Sequence, residues 1–285
     1  MQNETNNIGS LYLCATPIGN LEDMTYRAVR VLGEIDLIAA EDTRNTRKLL
    51  THFNIHTPLV SYHEHNKAQK NGELIAHLLN GENIAVVSDA GLPGIADPGS
   101  ELVRQAIDSN IRVIPLPGAN AALSALICSG LDTTSFVFIG FLPKTGKKRR
   151  ELLEKIANET RTMLFYESPH RLKETLAELA GSFGAARKIA VGRELTKKFE
   201  EFIRGTLGEI IAHFDQNLPR GEFCLVVEGG EITEAKAEEE IPPYEMVQRL
   251  MAGGKDKKAA IKETAVKLNM ARRDVYKIVL EHEEI

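Results

Sequence analysis

The sequence predicts an α/β protein of two layered domains followed by a small helical module, and three observations carry that prediction. Short apolar runs alternate with segments of helical period along most of the chain, which is the signature of α/β architecture. At 285 residues the chain exceeds what one compact core of ordinary size accommodates. Residues 231–240 hold five glutamates and one lysine with no apolar period, which reads as a solvated linker.

The elements follow in order. A strand is expected over 11–15, ending at Thr16-Pro17-Ile18-Gly19-Asn20, then a helix over 25–32 with Ala28, Val29 and Leu32 on one face. The next strand, 35–40, ends at Glu41-Asp42-Thr43, and Thr43 or Asn45 is the expected cap of the helix that passes through Leu49 and Leu50. A helix over 72–79 and a strand over 84–87 lead into the loop 88–99, which is rich in glycine and proline. A helix over 100–108, a strand over 113–116 and a helix over 119–128 complete the first half.

The second half is read as strands over 136–141, 163–166, 189–191 and 222–227, an edge strand over 202–204, and helices over 147–158, 171–180 and 207–214. Domains are therefore expected over 1–118 and 119–232, with a linker at 233–241 and a module at 242–285. That module contains three amphipathic segments, 244–250, 259–268 and 272–280, the last two at helix–turn–helix spacing.

Composition bounds the setting. Hydrophobic residues make up 43% and charged residues 26%, the balance of a globular chain without a membrane span. The first nine residues lack a basic and an apolar region, so no signal peptide is read and a cytoplasmic location is expected. Cys14, Cys128 and Cys224 have neither disulfide nor zinc spacing. The net charge of −5 makes local basic patches, rather than the overall balance, the place to look for nucleic-acid contact.

Ligands of open α/β sheets bind beyond the carboxyl ends of the strands. Loops at those ends carry glycine, proline or paired charges at 16–20, 41–44, 88–99 and 117–120, and again at 166–171 and 193–196. Glycine admits positive φ and close backbone approach, and proline fixes the curve. The motifs in order are Thr16-Pro17-Ile18-Gly19-Asn20-Leu21, Glu41-Asp42-Thr43-Arg44, the 88–99 loop, Pro117-Gly118-Ala119-Asn120, Gly140-Phe141-Leu142-Pro143, Tyr166-Glu167-Ser168-Pro169-His170-Arg171 and Arg193-Glu194-Leu195-Thr196. This series resembles the ribosomal RNA small subunit methyltransferase I family, cytidine 2′-O-methyltransferases of the tetrapyrrole (corrin/porphyrin) methylase superfamily.

The resemblance implies two α/β domains of the tetrapyrrole methylase type, with S-adenosyl-L-methionine bent into the cleft between them. It also implies a homodimer, a target in 16S ribosomal RNA at the decoding centre of the small ribosomal subunit, and no metal. Carried over by motif position, cofactor contacts fall on Asp89, Gly91, Ile95, Asn120, Ala121, Tyr166, Arg193, Gly221, Glu222 and Phe223. Pro17 and Gly19 are expected to touch cofactor or substrate.

The chemistry of methyl transfer narrows the rest. In-line displacement needs the acceptor oxygen behind the methyl at near-attack distance and a site that excludes water. A ribose hydroxyl is a poor nucleophile, so a base should assist, and the candidates are Glu41, Asp42, Glu167 and Glu194. Each could instead pair with Arg44, Arg171 or Arg193, and Arg44 and Arg171 could equally hold RNA phosphates. Lys144, Lys147, Lys148, Arg149 and Arg150 crowd the start of a helix, where positive charge opposes the helix dipole, so phosphate contact is the expected reason. His63-Glu64-His65 is read as solvent-facing residues of a strand rather than a metal site. Two other readings stay open on the sequence alone: a small-molecule C-methylase on the same scaffold, and a non-catalytic RNA-binding protein.

Overall fold

The computed structural model describes residues 8–144, 146–230, 242–268 and 270–283. Residues 8–230 form one compact unit and 242–283 a second. The larger unit opens with β1 (Ser10–Cys14), α1 (Tyr26–Glu34), β2 (Leu37–Ala40) and α2 (Thr43–His52). It continues through β3 (Leu59–Ser61), α3 (Lys67–Leu79), β4 (Ile84–Val87), α4 (Ser100–Asp108) and β5 (Arg112–Leu116). These five strands make one parallel sheet in the order β3-β2-β4-β1-β5. Apolar clusters lie on both of its faces, one containing Ala28, Val31, Leu32 and Leu50, the other Leu74, Leu78, Leu102 and Ala106. All four residues of β4 are buried, as a central parallel strand requires.

The chain then forms α5 (Ala121–Ser129), β6 (Phe136–Phe141), α6 (Lys147–Ile156), β7 (Thr162–Glu167), α7 (Leu172–Phe183) and β8 (Lys188–Arg193), ending with β9 (Glu201–Thr206), α8 (Leu207–Gln216) and β10 (Phe223–Val227). The second sheet is mixed, in the order β6-β7-β10-β8-β9, with β6 parallel to β7 and the other pairs antiparallel. Its β9 is the edge strand the sequence predicts. One face packs on α6, α7 and α8 and the other on α5, whose Ala122, Ala125 and Leu126 meet Leu164, Ala190, Cys224 and Val226.

The differences from the sequence reading have physical reasons. The strand β3 is three half-buried residues with no period to read. The helix α3 begins five residues before the expected start because its first turn is polar, and Asn71 in it is buried against the Tyr62 hydroxyl, which donates to Asn71 Oδ1 at 2.9 Å. Neither Thr43 nor Asn45 caps α2: Asp42 does, its carboxylate accepting the Arg44 N–H at 2.8 Å. His63 and His65 lie in the loop after β3, with ring centroids 5.9 Å apart and His63 half-buried, so they do not alternate on a strand.

The smaller unit is three helices, α9 (Pro243–Ala252), α10 (Lys257–Lys267) and α11 (Arg272–Glu283), around Val247, Ala260, Ile261, Ala265, Val275 and Val279. The expected linker, 233–241, lies outside the described residues.

Two of the expected RNA-binding arginines are internal instead. Arg149 is 3% exposed, on the same face of α6 as Leu153 and Ile156. Its guanidinium pairs with Glu178, donating from Nε at 2.6 Å, and also donates to the Pro143 carbonyl at 3.0 Å and to Thr175 Oγ1 at 2.9 Å. Arg171 donates to the carbonyls of Leu142 and Pro143 at 3.0 and 3.2 Å. Both guanidiniums are therefore spent on the segment that follows β6. Arg149→Met should cost about 3 kcal/mol in chemical denaturation, because it leaves Glu178 and a carbonyl without their buried cation, whereas Arg150→Met, at an exposed position, should stay within about 0.5 kcal/mol.

Candidate active site

The order of the first sheet creates a crevice. From β1 the chain crosses to β2 on one side, and from β4 it crosses to β5 on the other, so the carboxyl ends of the neighbours β1 and β4 part company. A short bridge joins them just beyond the sheet: Thr16 N–H donates to the Gly91 carbonyl at 2.9 Å and Gly91 N–H to the Thr16 carbonyl at 3.0 Å. The Thr16 hydroxyl donates to the Ser88 carbonyl, and the Ser88 hydroxyl to that of Gly91. Gly91 turns back at φ +83°, and a Cβ there would stand 3.3 Å from the Ile18 side chain.

The opposite wall comes from the second sheet. Antiparallel pairing sets the end of β7, the start of β10 and the end of β8 side by side, so that Tyr166, Cys224 and Gly192 lie in one row. The amino end of α5 enters the same space: Asn120 caps the helix by accepting from Leu123 N–H at 2.9 Å, and Ala122 N–H donates to the Tyr166 hydroxyl at 3.3 Å. That bond leaves the phenol proton for a ligand. Between the walls lies a cleft of about 550 Å³, within the range of small-molecule sites.

The cleft is unevenly charged. Burial raises the pKa of Glu41, and the charges of Asp97 and Asp89 raise it further. Asp97 is raised in the same way, by burial and then by Asp89. Tyr166 is pushed up to about 12, mainly by burial, so its hydroxyl is neutral near pH 7. Glu41, Asp89 and Asp97 thus gather negative charge on the wall of the first sheet, and among the described residues no lysine or arginine pairs with any of them. Apolar Ile18, Leu92, Ile95 and Phe223 line the same space. Such a set suits a ligand that carries a cation on a largely apolar body. S-adenosylmethionine, with a sulfonium and an ammonium beside an adenine, fits that donor set and that volume.

Of the expected cofactor residues, Asp89, Gly91, Ile95, Asn120, Ala121, Tyr166, Glu222 and Phe223 line the cleft. Pro17 and Gly19 line a smaller adjoining hollow of about 240 Å³, which shares Asp89 with the cleft. Arg193 and Gly221 adjoin the cleft-lining Gly192 and Glu222 but do not themselves line the cleft. The Arg193 side chain donates to the Arg220 carbonyl at 2.8 Å and pairs with Glu201, while a Cβ on Gly221 would run into Glu194 at 2.4 Å.

Among the four candidate bases only Glu41 both lines the cleft and is half-exposed without an ion pair, its carboxylate held by the Asp89 backbone N–H. Asp42 caps α2 and pairs with Arg44 at 2.9 Å, which holds its carboxyl down to about 2. Glu167 lines the cleft but is 2% exposed, accepting from Ser168 N–H at 2.8 Å and from the Thr175 hydroxyl at 2.6 Å. Glu194 accepts from Lys197 and from Glu222 N–H. Arg44, Lys144, Lys147, Lys148 and Arg150 are exposed. The sequence reading missed Asp97, whose signal was a second aspartate in the same loop as Asp89, and Phe141, which the Gly140-Phe141-Leu142-Pro143 motif contained. It also missed Cys224, for which a buried apolar strand offers no signal.

Comparison with known proteins follows from this geometry. The family model described as Tetrapyrrole (Corrin/Porphyrin) Methylases matches residues 10–211. The protein named ribosomal RNA small subunit methyltransferase I of Halalkalibacterium halodurans is 54% identical, over 95% of this chain and 94% of its own. The proteins of that name from Bacillus subtilis and Synechocystis are each 51% identical, covering 96% and 97% of this chain and 95% and 99% of their own. In fold, the chain is similar to uroporphyrin-III-C-methyltransferase from Thermus thermophilus, with TM-score 0.55 and 20% identity over 77% of this chain and 94% of that one. A diphthine synthase aligns with TM-score 0.62 and 12% identity over 78% and 90%. Cleft, sheet order and near full-length likeness agree: the chain belongs to the tetrapyrrole (corrin/porphyrin) methylase family, in the branch formed by the ribosomal RNA small subunit methyltransferase I proteins.

Proposed function

We propose that this chain methylates the 2′-hydroxyl of a cytidine in the decoding centre of 16S ribosomal RNA, using S-adenosylmethionine. The observation that carries the reading is the acidic, half-apolar cleft between the two sheets in a chain whose near full-length relatives are named as small-subunit RNA methyltransferases. When bound, S-adenosylmethionine supplies a methyl group on a sulfonium, open to in-line attack. The protein holds that donor with Asp89, Asp97 and the amino end of α5, and the walls exclude water. Glu41 takes the hydroxyl proton: burial and the neighbouring Asp97 and Asp89 raise its pKa, and no cation pairs with it among the described residues. Exposed Arg44, Lys144, Lys147, Lys148 and Arg150 supply phosphate contacts.

A homodimer and a cytoplasmic setting belong to the same proposal. The helix α5 is apolar nearly all round, yet Leu123 and Ile127 on its outer side are exposed, as expected of a face that another protomer covers. No described helix is long and apolar enough to cross a membrane.

The direct test is transfer of labelled methyl to small ribosomal subunits, compared with tetrapyrrole precursors, with mass spectrometry of the RNA to place the label. Label on the precursors alone would select the small-molecule reading. In the same assay Glu41→Gln should lower kcat by about 10² to 10⁴, while calorimetric affinity for the cofactor changes by less than about tenfold.

Donor affinity should also depend on pH. Glu41 and Asp97 have raised pKa values, so as pH falls from about 7.5 to about 5 they take up protons sooner than an ordinary carboxyl of pKa about 4, and the attraction for a cation declines. Calorimetry should show weaker S-adenosylmethionine binding at the acid end and a flatter profile for S-adenosylhomocysteine, which keeps the ammonium but lacks the sulfonium charge; equal slopes for both would count against a sulfonium-selective wall. For the basic patch, Lys147→Glu, Lys148→Glu and Arg150→Glu together should reduce the slope of log K against log salt for RNA by about 2 to 3, one near-unit step per lost phosphate contact. Arg149 is left intact in that variant because it is buried.

A further inference from the structure

One aromatic ring in the cleft has no packing role that explains its position. Phe141, the last residue of β6, is 56% exposed and lines the cleft. Side chains three apart on a regular strand point to opposite faces, yet the rings of Phe138 and Phe141 both meet Tyr166, at centroid distances of 5.2 and 5.6 Å. The reason is a bulge. Phe138 pairs with Leu164 and Gly140 with Phe165, so one extra residue is inserted, and Gly140 takes φ +71° to absorb it. A bulge in a parallel pair is rare, and bulges beside active sites re-aim side chains. Here the insertion turns Phe141 out of alternation and onto the cleft side, beside Tyr166.

The segment that follows is held rigidly. The Leu142 and Pro143 carbonyls accept from the Arg171 guanidinium, and Pro143 also accepts from Arg149. Directly beyond stand the exposed Lys144, Lys147 and Lys148. An exposed aromatic face, fixed from below and flanked by exposed cations, is the combination that binds an unstacked nucleotide: the ring takes the base and the lysines take the phosphates.

We propose that Phe141 is the stacking face for the base of the target nucleotide, which is turned out of the RNA so that its ribose reaches the cleft. This inference rests on the RNA-methylating reading above. A ring serving only the adenine of the cofactor would have no need of the adjoining cations. Because the reacting atom is on the sugar, a stacked base positions the acceptor hydroxyl without any group of the base taking part.

The chain contains no tryptophan, so Phe141→Trp installs a single fluorescent reporter at the ring. Its emission should be quenched by a transcript of the small-subunit decoding region and unaffected by S-adenosylhomocysteine alone. Phe141→Leu, which keeps apolar bulk without a π face, should lower kcat/KM for small ribosomal subunits about ten- to a hundredfold, leave S-adenosylhomocysteine affinity unchanged, and be rescued by Phe141→Trp. Quenching by S-adenosylhomocysteine but not by RNA would give the ring to the cofactor and overturn the proposal. Wild-type kinetics in Phe141→Leu with no quenching by either probe would overturn it while leaving the RNA reading in place. If the wild-type protein transfers no label to small subunits in the same assay, the RNA reading fails and takes this inference with it.

Discussion

Two backbone hydrogen bonds between Thr16 and Gly91 set the geometry on which the rest of the site depends. Within the sheet, β1 and β4 are locked in register up to Cys14 and Val87. Beyond it their loops have no ladder to hold them, and they diverge towards opposite sides of the sheet. An isolated antiparallel bridge joins them beyond the parallel ladder, and the positive φ of Gly91 makes the turn that permits it. Asp89 and Ala90 are thereby pushed out between Ser88 and Gly91 into the cleft, and Asp89 in turn accepts the Asp42 N–H, which ties the start of α2 to the same turn. Three loops that carry chemistry are thus tied together by the bridge and the Asp42–Asp89 hydrogen bond.

The cleft built on that contact is costly in the free protein. Glu41, Asp89 and Asp97 repel one another in a partly buried place, and among the described residues none of them forms an ion pair. Elsewhere in the chain carboxylates are matched: Asp42 with Arg44, Glu178 with Arg149, Glu194 and Glu222 with Lys197. Three neighbouring carboxylates with no ion pair among the described residues mark their wall as a place where a cationic ligand completes the balance.

Much of the fold was legible in the sequence because its strands are buried on both faces, as β4 and β10 are, and such runs stand out without any period. The orientation of β10 was not legible, since antiparallel insertion leaves no trace in a fully buried strand. Nor could residue type separate Glu41 from Asp42, adjacent carboxylates of which one faces the cleft and the other caps a helix. Arg149 differs: it lies four and seven residues before Leu153 and Ile156, the spacing of a shared helical face, so its burial was readable beneath the louder signal of a basic run. The loops at the strand ends identified most of the cleft, but which residue of each loop lines it, Gly192 and Glu222 rather than Arg193 and Gly221, is a property of three dimensions only.

The bulge in β6 has a consequence for how such a cleft can diverge. Adding one further residue between Gly140 and Phe141 would move the ring by one ladder position, sending it to the side occupied by α6 and α7. The contour presented to an acceptor can thus be rewritten by a change in strand length alone, with no substitution in either core. Gain of a single codon, without any drift at the wall itself, is therefore enough to change the acceptor shape that such a scaffold admits.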